Sequence, residues 1–417
     1  MPKPHILVVG GGAAGLIAAG TAAENGASVT VAERNPRMAR KVMITGKGRC
    51  NLTNCCDVST LIANVPRNPR FLYSAFNAFT PQDMMALIEA QGVPLKVERG
   101  NRVFPVSDKA VDVVDALVRF ARDKGVHFTH GCVKHLCLTD GCCTGVTLES
   151  GETLTADAVI LATGGMSYPQ TGSEGDGYAL AREAGHTVIA PRPSLVPLTS
   201  SDGYCAVMQG LAPKNCALTV EDTATGKIIY RDFGEMLFTH FGVSGPMVLS
   251  ASAHMRDMAP DRYVLYIDWK PALTPEQVDA RLCRELQENA NSDCGNMLRK
   301  LLPQSAIPVF AALAAIDTAQ KCHTVTREQR HALGAVLKHF PVHISGTRPI
   351  AEAIITSGGV CVKEVQAATM ASKLVKGLYF AGELLDVDAY TGGFNLQIAF
   401  STGAAAGRGA AEGSAVL

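Results

Sequence analysis

The sequence contains a single tryptophan, and aromatic residues make up only 6% of its 417 positions. Charged residues account for 18%, and the 38 basic side chains are balanced by 38 acidic ones. A net charge of zero provides no sequence-wide attraction to nucleic acid or anionic lipid, so we expect neither as a partner. Intrinsic disorder is excluded as well, because 47% of the residues are hydrophobic and can form a core.

Cysteine is abundant, with 13 residues, but no two of them are spaced C-x-x-C. The missing spacing gives no support to a zinc ribbon or an iron–sulfur cluster, and we predict no metal site. Gly10, Gly11, Gly12 and Gly15 interrupt the apolar segment 6–23, and no basic cluster precedes it. This pattern argues against a signal peptide or a membrane anchor, so we expect reduced thiols and a cytoplasmic location.

Hydrophobic patterning predicts an α/β fold with a long insertion. An apolar strand over 5–9, a small-residue helix over 13–25 and a strand over 28–32 form one βαβ unit. Short strands return from residue 350, before a small-residue helix over 397–411. We therefore predict a discontinuous nucleotide-binding domain at 1–190 and 350–417, a β-rich substrate domain at 191–273 and 341–349, and a helical insertion at 274–340.

Local signals add detail between these segments. Thr80, Thr274 and Thr326 each begin a predicted helix, since threonine is a favoured N-cap residue. The segment 126–162 alternates between apolar and polar residues and contains turn signals. It predicts a three-stranded antiparallel meander that leads into a buried strand over 158–162.

A G-x-G-x-x-G loop, formed by Gly10, Gly12 and Gly15, lies between the first strand and the first helix. In this setting the first glycine permits the tight turn, the second lets the backbone approach a pyrophosphate, and the third lets the helix pack on the sheet. The helix N-terminus favours phosphate groups. Glu33 ends the second strand, where a carboxylate can accept both ribose hydroxyls. The pattern predicts dinucleotide binding without separating FAD from NAD.

Two distant segments repeat the arrangement of a strand followed by a glycine turn. The first is 158–165, and the second is 377–397, which enters the last helix through Gly392 and Gly393. A helix N-terminus at that point could stabilise the negative charge of a reduced flavin. An ordinary strand-to-helix turn remains the alternative interpretation of each segment.

Five strings are similar to those of one family: KVMITGKGRCNLTN at 41–54, ATGG at 162–165, EMLFTHFGVSGP at 235–246, TSGGV at 356–360 and GELLDVDAYTGGFNLQ at 382–397. Over nearly its full length the chain resembles the bacterial NAD(P)/FAD-dependent oxidoreductases that include the 3-dehydro-bile-acid Δ4,6-reductase and aminoacetone oxidase-like flavoproteins. The resemblance implies a Rossmann-like, glutathione-reductase-type FAD domain, interrupted by a β-barrel-like domain and a small helical cap. Lys47 departs from the family, whose members commonly keep a plain glycine run there.

The resemblance also implies which residues surround the FAD. Those implied for the adenosine diphosphate half are Gly10, Gly12, Ala13, Ala14, Gly15 and Glu33. The loop beside the pyrophosphate and the flavin supplies Arg34, Lys41, Gly46, Gly48, Arg49, Cys50 and Asn51. The rest of the expected shell is Val133, Ala162, Thr163, Gly164, Gly165, Gly382, Glu383, Asp388, Gly392, Gly393, Phe394 and Asn395.

The expected chemistry is NAD(P)H-driven reduction of an activated C=C bond in a small, apolar, steroid- or bile-acid-like substrate. Only one G-x-G-x-x-G loop follows a strand, so NADH or NADPH is expected to bind transiently beside the flavin. His240, Tyr390 and Arg49 are the catalytic candidates. A structural histidine, an interface tyrosine and a phosphate-binding arginine are the alternatives for these three.

Three other functions stay open. A flavin amine oxidase of the aminoacetone type would use oxygen as the acceptor. A flavin thiol–disulfide reductase would use the C-x-x-x-x-C pair Cys50 and Cys55. An RNA-modifying flavoprotein is the third, and the balanced charge argues against it.

Overall fold

The computed structural model describes residues 3–414. The helices are α1 (Ala13–Glu24), α2 (Arg40–Ile44), α3 (Val58–Ala63), α4 (Tyr73–Ala78), α5 (Pro81–Ala90), α6 (Ala110–Asp123), α7 (Asp176–Glu183), α8 (Tyr204–Val207), α9 (Pro246–Ser252), α10 (Pro275–Glu288), α11 (Cys294–Leu298), α12 (Ile307–Leu313), α13 (Arg327–Lys338) and α14 (Phe394–Ser414).

The strands are β1 (His5–Val9), β2 (Ser28–Glu33), β3 (Thr53–Asn54), β4 (Leu95–Glu98), β5 (Arg102–Pro105), β6 (His127–His130), β7 (Val133–Thr139), β8 (Cys142–Leu148), β9 (Thr153–Thr155), β10 (Ala158–Leu161), β11 (Val188–Ser194), β12 (Leu198–Ser200), β13 (Cys216–Asp222), β14 (Lys227–Gly234), β15 (Leu237–Thr239), β16 (Gly242–Ser244), β17 (Tyr263–Asp268), β18 (Phe340–Thr347), β19 (Ile355–Val360) and β20 (Leu378–Phe380). They belong to two compact units, one that ends at Ser194 and resumes at Ile350, and one that spans Leu195–Pro349.

The first unit is built on a five-stranded parallel sheet in the order β20-β10-β1-β2-β6. Leu7 of β1 pairs with Val159 on one side and with Thr30 on the other. Residues Ile6–Val9 are buried, as expected for a parallel strand that is covered on both faces. The predicted α/β architecture with a Rossmann-type sheet is confirmed.

The segment 126–162 contains the predicted three-stranded meander, preceded by one further strand, β6. The strands β7, β8 and β9 form a three-stranded antiparallel sheet, and β10 follows them as a fully buried strand. The strand β6 is not part of the meander, because it pairs with β2 at the edge of the parallel sheet.

Close packing of α1 against α14 forms the centre of the first unit. A Cβ atom on Gly403 would overlap the carbonyl oxygen of Ala14, and one on Gly407 would overlap that of Ala18. Glycine at these two positions therefore lets the two helix backbones touch. Both helices start at the same sheet edge, where the glycine turns lie.

The second unit contains a seven-stranded antiparallel sheet in the order β14-β13-β17-β18-β12-β16-β15. Helices α10 to α13 bury apolar side chains in the same core as these strands, and Leu282 and Leu337 belong to one cluster with Leu265 and Phe340. The helices predicted as a separate insertion at 274–340 thus share one core with the strands of this unit.

All three predicted threonine caps are confirmed. Thr80, Thr274 and Thr326 each accept a hydrogen bond from the backbone N–H three residues later, at the starts of α5, α10 and α13. Each of them is also part of a capping box, in which the third residue returns a hydrogen bond. None of the described helices is both long enough and apolar enough to cross a membrane.

Replacing Gly407 by leucine tests the packing of α1 against α14. The larger side chain would push the helices apart, and we expect the free energy of unfolding to fall by about 1–3 kcal/mol. Arg408→Leu, at the next position of the same helix, is the control and should change stability much less. Urea unfolding followed by far-UV circular dichroism measures both, and equal stability of the two variants would contradict the packing role.

Candidate functional site

A cleft opens where the parallel strands β1, β2, β10 and β20 end. It is lined by residues of the first unit only. The structure brings together here the following residues of the shell expected from the sequence: Gly10, Gly12, Ala13, Ala14, Glu33, Arg34, Lys41, Val133, Ala162, Thr163, Gly164, Gly382, Glu383 and Asn395. The carboxyl edge of an open parallel sheet is where such folds bind nucleotides.

The three glycines of the first turn have distinct roles. Gly10 has a φ of +102°, and a Cβ there would lie 2.7 Å from the carbonyl oxygen of Ala162. At Gly15, a Cβ would overlap the carbonyl oxygen of Gly10. At Gly12, by contrast, a Cβ would have no atom within 4 Å. Open space therefore lies in front of the N-terminus of α1, where a diphosphate would fit.

Glu33 is held firmly at the end of β2. One carboxylate oxygen accepts the backbone N–H of Gly11 at 2.7 Å, and the other accepts the backbone N–H of Asn35 at 2.8 Å. Asn35 also donates from its side chain, at 2.7 Å. The carboxylate is only 8% exposed and is fixed beside the cleft, as binding of ribose hydroxyls requires.

Arg34 connects the cleft to a loop that the sequence did not single out. Its guanidinium lies 2.7 Å from a carboxylate oxygen of Asp176 and 3.2 Å from one of Glu174, and it donates to the Sγ of Cys132 at 3.0 Å. The residues 171–176 line the cleft together with Asn35 and Cys132. The two glycines in that loop were its only sequence signal.

The glycine turn after β10, at residues 162–165, contributes a hydroxyl without a partner among the described residues. The Oγ1 of Thr163 is buried and has no hydrogen-bond partner among the described residues, while Gly164 takes a φ of +77°. Gly382, shortly after β20, packs close to α1, since a Cβ there would lie 2.9 Å from the Cβ of Ala14. An unpartnered hydroxyl, an open phosphate position and a fixed carboxylate together fit a bound FAD.

Residues of the segment 51–54 contact the backbone of Gly392 and Gly393, directly before α14. The Nδ2 of Asn54 donates to the carbonyl of Gly392 at 3.1 Å, and the Oγ1 of Thr53 donates to Gln397 at 2.6 Å. A Cβ on Gly393 would overlap the backbone of Thr53. Seven expected shell residues lie outside the lining of the cleft: Gly46, Gly48, Cys50, Asn51, Gly392, Gly393 and Phe394.

Arg49 is fully occupied by other side chains. Its guanidinium pairs with Glu98, donates to Asp108 at 2.6 and 2.8 Å, and lies 4.2 Å over the ring of Phe104. These contacts raise the pKa of Arg49, chiefly through the hydrogen bond to Glu98. Arg49 does not line the cleft.

The structure places His240 and Tyr390 in different units. His240 lies in the second unit, after β15, with its ring edge-on to Phe241 at 5.0 Å. Tyr390 lies in the first unit, where its N–H donates to the carbonyl of Asn64 at 3.0 Å. Asn395 fixes the backbone around Tyr390, donating to its carbonyl at 3.2 Å.

Asp388 is a buried carboxyl with one oxygen unsatisfied. Its Oδ2 accepts from the Oγ of Ser194 at 2.9 Å, and its Oδ1 has no partner among the described residues. Burial raises the pKa of Asp388 above its usual value. Nearby Asp386 is instead paired with Arg67 and accepts from the side chain of Asn68. Asp388 lies outside the lining of the cleft, as do Gly15 and Gly165, the latter packed against Thr356.

Comparison with known proteins identifies the family. Residues 4–409 match the HI0933-like protein Rossmann domain. The chain belongs to the HI0933-like family. The resemblance found in the sequence is therefore confirmed, and this HI0933-like protein is a flavin-dependent oxidoreductase with a binding site for FAD.

Two curated relatives of the HI0933-like chain align over nearly their full lengths. The 3-dehydro-bile acid Δ(4,6)-reductase of Clostridium scindens is 32% identical over 98% of this chain and 99% of its own. The ribosomal RNA dihydrouridine synthase of Escherichia coli is 31% identical over 96% of both chains. In fold, the chain is similar to the 3-ketosteroid Δ1-dehydrogenase of Sterolibacterium denitrificans, with a TM-score of 0.52 and 13% identity over 99% of this chain and 100% of that one.

Burial of the Cys50 thiol predicts that it is unreactive. Burial raises its pKa to about 12, so the thiolate that a thiol–disulfide reductase needs is scarce at neutral pH. We expect iodoacetamide at pH 8 to leave Cys50 unmodified in the folded protein and to alkylate it in urea, as measured by peptide mass spectrometry. Rapid alkylation of Cys50 in the folded state would contradict this.

Lys47 has a φ of +60°, a conformation that disfavours side chains with a Cβ atom. We expect Lys47→Gly to raise the free energy of unfolding by up to about 1 kcal/mol, because glycine relieves this strain. Lys214→Gly, at an exposed position without positive φ, is the control and should lower it. Urea unfolding of both variants measures the difference, and a destabilised Lys47→Gly would be the contrary result.

Proposed function

We propose that this chain reduces a C=C bond conjugated to a carbonyl group in a small, largely apolar molecule of the steroid or bile-acid type. The single observation that carries the proposal is the 32% identity to the C. scindens reductase along the whole chain. The cofactor cleft supports it, because the residues around it fit FAD. Bound flavin supplies the hydride for the β-carbon, and an acid supplies the proton for the developing enolate.

NADH or NADPH is the proposed source of the hydride. The sequence offers one G-x-G-x-x-G loop after a strand, and the structure uses that loop to line the FAD cleft. A nicotinamide would then bind transiently, against the flavin and before the substrate.

His240 and Tyr390 remain the proposed proton donors. The guanidinium of Arg49 is held by two carboxylates, which favours a role in fixing its own loop. His240→Asn and Tyr390→Phe, each compared by kcat and KM, identify which of the two contributes a proton, since loss of the donor lowers kcat.

Charge balance supports a small-molecule substrate over RNA. The second unit, Leu195–Pro349, contains fifteen Lys and Arg residues and fifteen Asp and Glu residues. The rest of the chain is balanced too, since both totals are 38. Neither unit has the excess of basic residues that is typical of a nucleic-acid-binding domain.

Ribosomal RNA dihydrouridine synthesis is the second candidate function. The observation that favours it is the E. coli relative, which matches almost as well as the bile acid reductase. The two activities share a chemical core, because the C5=C6 bond of uracil is conjugated to a carbonyl group, like the double bond of a steroid enone. The same reduced flavin could therefore serve either reaction.

Anaerobic reduction of the purified flavoprotein tests the proposal. We expect NADH or NADPH to bleach the visible flavin absorbance, and a 3-oxo-4,6-diene steroid acid to restore it with formation of the hydrogenated product. Failure of both nicotinamides, with bleaching by aminoacetone instead, would favour the amine oxidase. Reoxidation by unmodified ribosomal RNA, but not by the steroid acid, would favour the second candidate.

Gly12→Val tests whether the reductase activity depends on FAD bound in this cleft. Its side chain would enter the open space in front of α1 and would meet no protein atom at its Cβ position, so the fold should be kept. We expect this variant to melt like the apoprotein of the wild type, and to lose both FAD and reductase activity. Retention of FAD would show that the diphosphate lies elsewhere.

A further inference from the structure

A buried serine lies directly behind the charged pair of the FAD cleft. Lys41 and Glu383 line the cleft, while Ser167 is fully buried and does not line it. We propose that Ser167 is a positioning residue that aims the Lys41 ammonium at FAD, and that Thr356 holds Ser167 in place. The inference rests on the FAD-binding part of the proposed function, and not on the substrate.

The Lys41 ammonium is held at two points. It donates to the Oγ of Ser167 at 2.6 Å and to the Oε2 of Glu383 at 2.7 Å. An ammonium group has three N–H donors in tetrahedral geometry, so two fixed bonds also fix the direction of the third. Because Lys41 borders the cleft, its third donor is the one that remains for an anionic or polar ligand.

Glu383 is fixed independently of Lys41. Its Oε1 accepts the backbone N–H of Thr356 at 2.8 Å and lies 3.1 Å from the Oγ of Ser167. The carboxylate therefore cannot follow the lysine if the lysine moves. Ser167 contacts both members of the ion pair and sets their relative position.

Thr356 completes the arrangement. Its fully buried Oγ1 accepts the backbone N–H of Met166 at 2.8 Å and that of Ser167 at 3.1 Å. Glycine is needed at position 165, because a Cβ there would lie 2.5 Å from the Thr356 Oγ1 and 2.9 Å from the Glu383 Oε1. The backbone that carries Ser167 is thus bound to β19, and the serine hydroxyl has a defined place.

The charges of Lys41 and Glu383 interact in a partly buried setting. The side chains of Lys41 and Glu383 are about one-fifth exposed, so their interaction is only partly screened by water. The serine hydroxyl is a neutral acceptor, so it holds the ammonium without cancelling its charge.

The test measures FAD affinity of the apoprotein by flavin fluorescence in a double-mutant cycle. Ser167→Ala should weaken FAD binding about tenfold, because it removes a hydrogen bond to a charged group. Lys41→Met should weaken binding at least as much. In the Lys41→Met background, Ser167→Ala should then change the affinity less than twofold, because the serine acts through the lysine.

Salt dependence and a matched control complete the experiment. Wild-type affinity should fall with rising salt concentration, and that slope should be smaller for Ser167→Ala. Ser252→Ala removes a buried serine hydroxyl in the second unit, where it accepts the N–H of Val196, and should leave FAD affinity unchanged.

Two results would overturn the inference. One is unchanged FAD affinity in Ser167→Ala, and the other is a tenfold loss that persists in the Lys41→Met background. Should Ser167→Ala fail to fold, Thr356→Ser, which keeps the hydroxyl, and Thr356→Val, which removes it, replace it in the same cycle. A wild-type protein that binds no FAD would instead contradict the proposed function itself.

Discussion

Contact between the backbones of α1 and α14 is the constraint on which the rest of the site depends. Gly403 and Gly407 leave no side chain between the helices, so α14 lies directly against the carbonyl groups of Ala14 and Ala18. The first turns of both helices border the same cleft, through Ala13 and Ala14 in α1 and through Asn395 and Leu396 in α14. Two sets of backbone N–H groups can thereby act on one anionic cofactor.

The fit of FAD follows from this geometry together with a set of fixed polar groups. Glu33 is held by two backbone N–H groups at one end of the cleft, and Glu383 is held by Thr356 and Lys41 elsewhere in it. Groups that are already oriented need little reorganisation when a ligand binds. Asn395 holds the backbone of Ala389 and Tyr390, and Asn54 holds that of Gly392, so the turn before α14 is fixed as well.

Local rules were enough to predict the main elements of the site. Gly10 and Gly15 have the steric roles expected of them, and Glu33 ends β2 beside the cleft. The three glycine turns lie together because carboxyl ends of parallel strands meet at one sheet edge. Loops without a regular pattern were missed, namely 171–176, because their contacts with Arg34 and Asn35 are made across the fold.

Short-range spacing and steric limits in the sequence were enough to predict the first βαβ unit, a dinucleotide site and the residues at the first turn, while FAD followed from the family resemblance. Three features became visible only in the folded chain: Glu98 and Asp108 hold Arg49, Cys50 is buried, and Gly403 packs against α1. Those facts depend on which distant side chains meet. Spacing along a chain does not encode such contacts, because they form only when the elements pack.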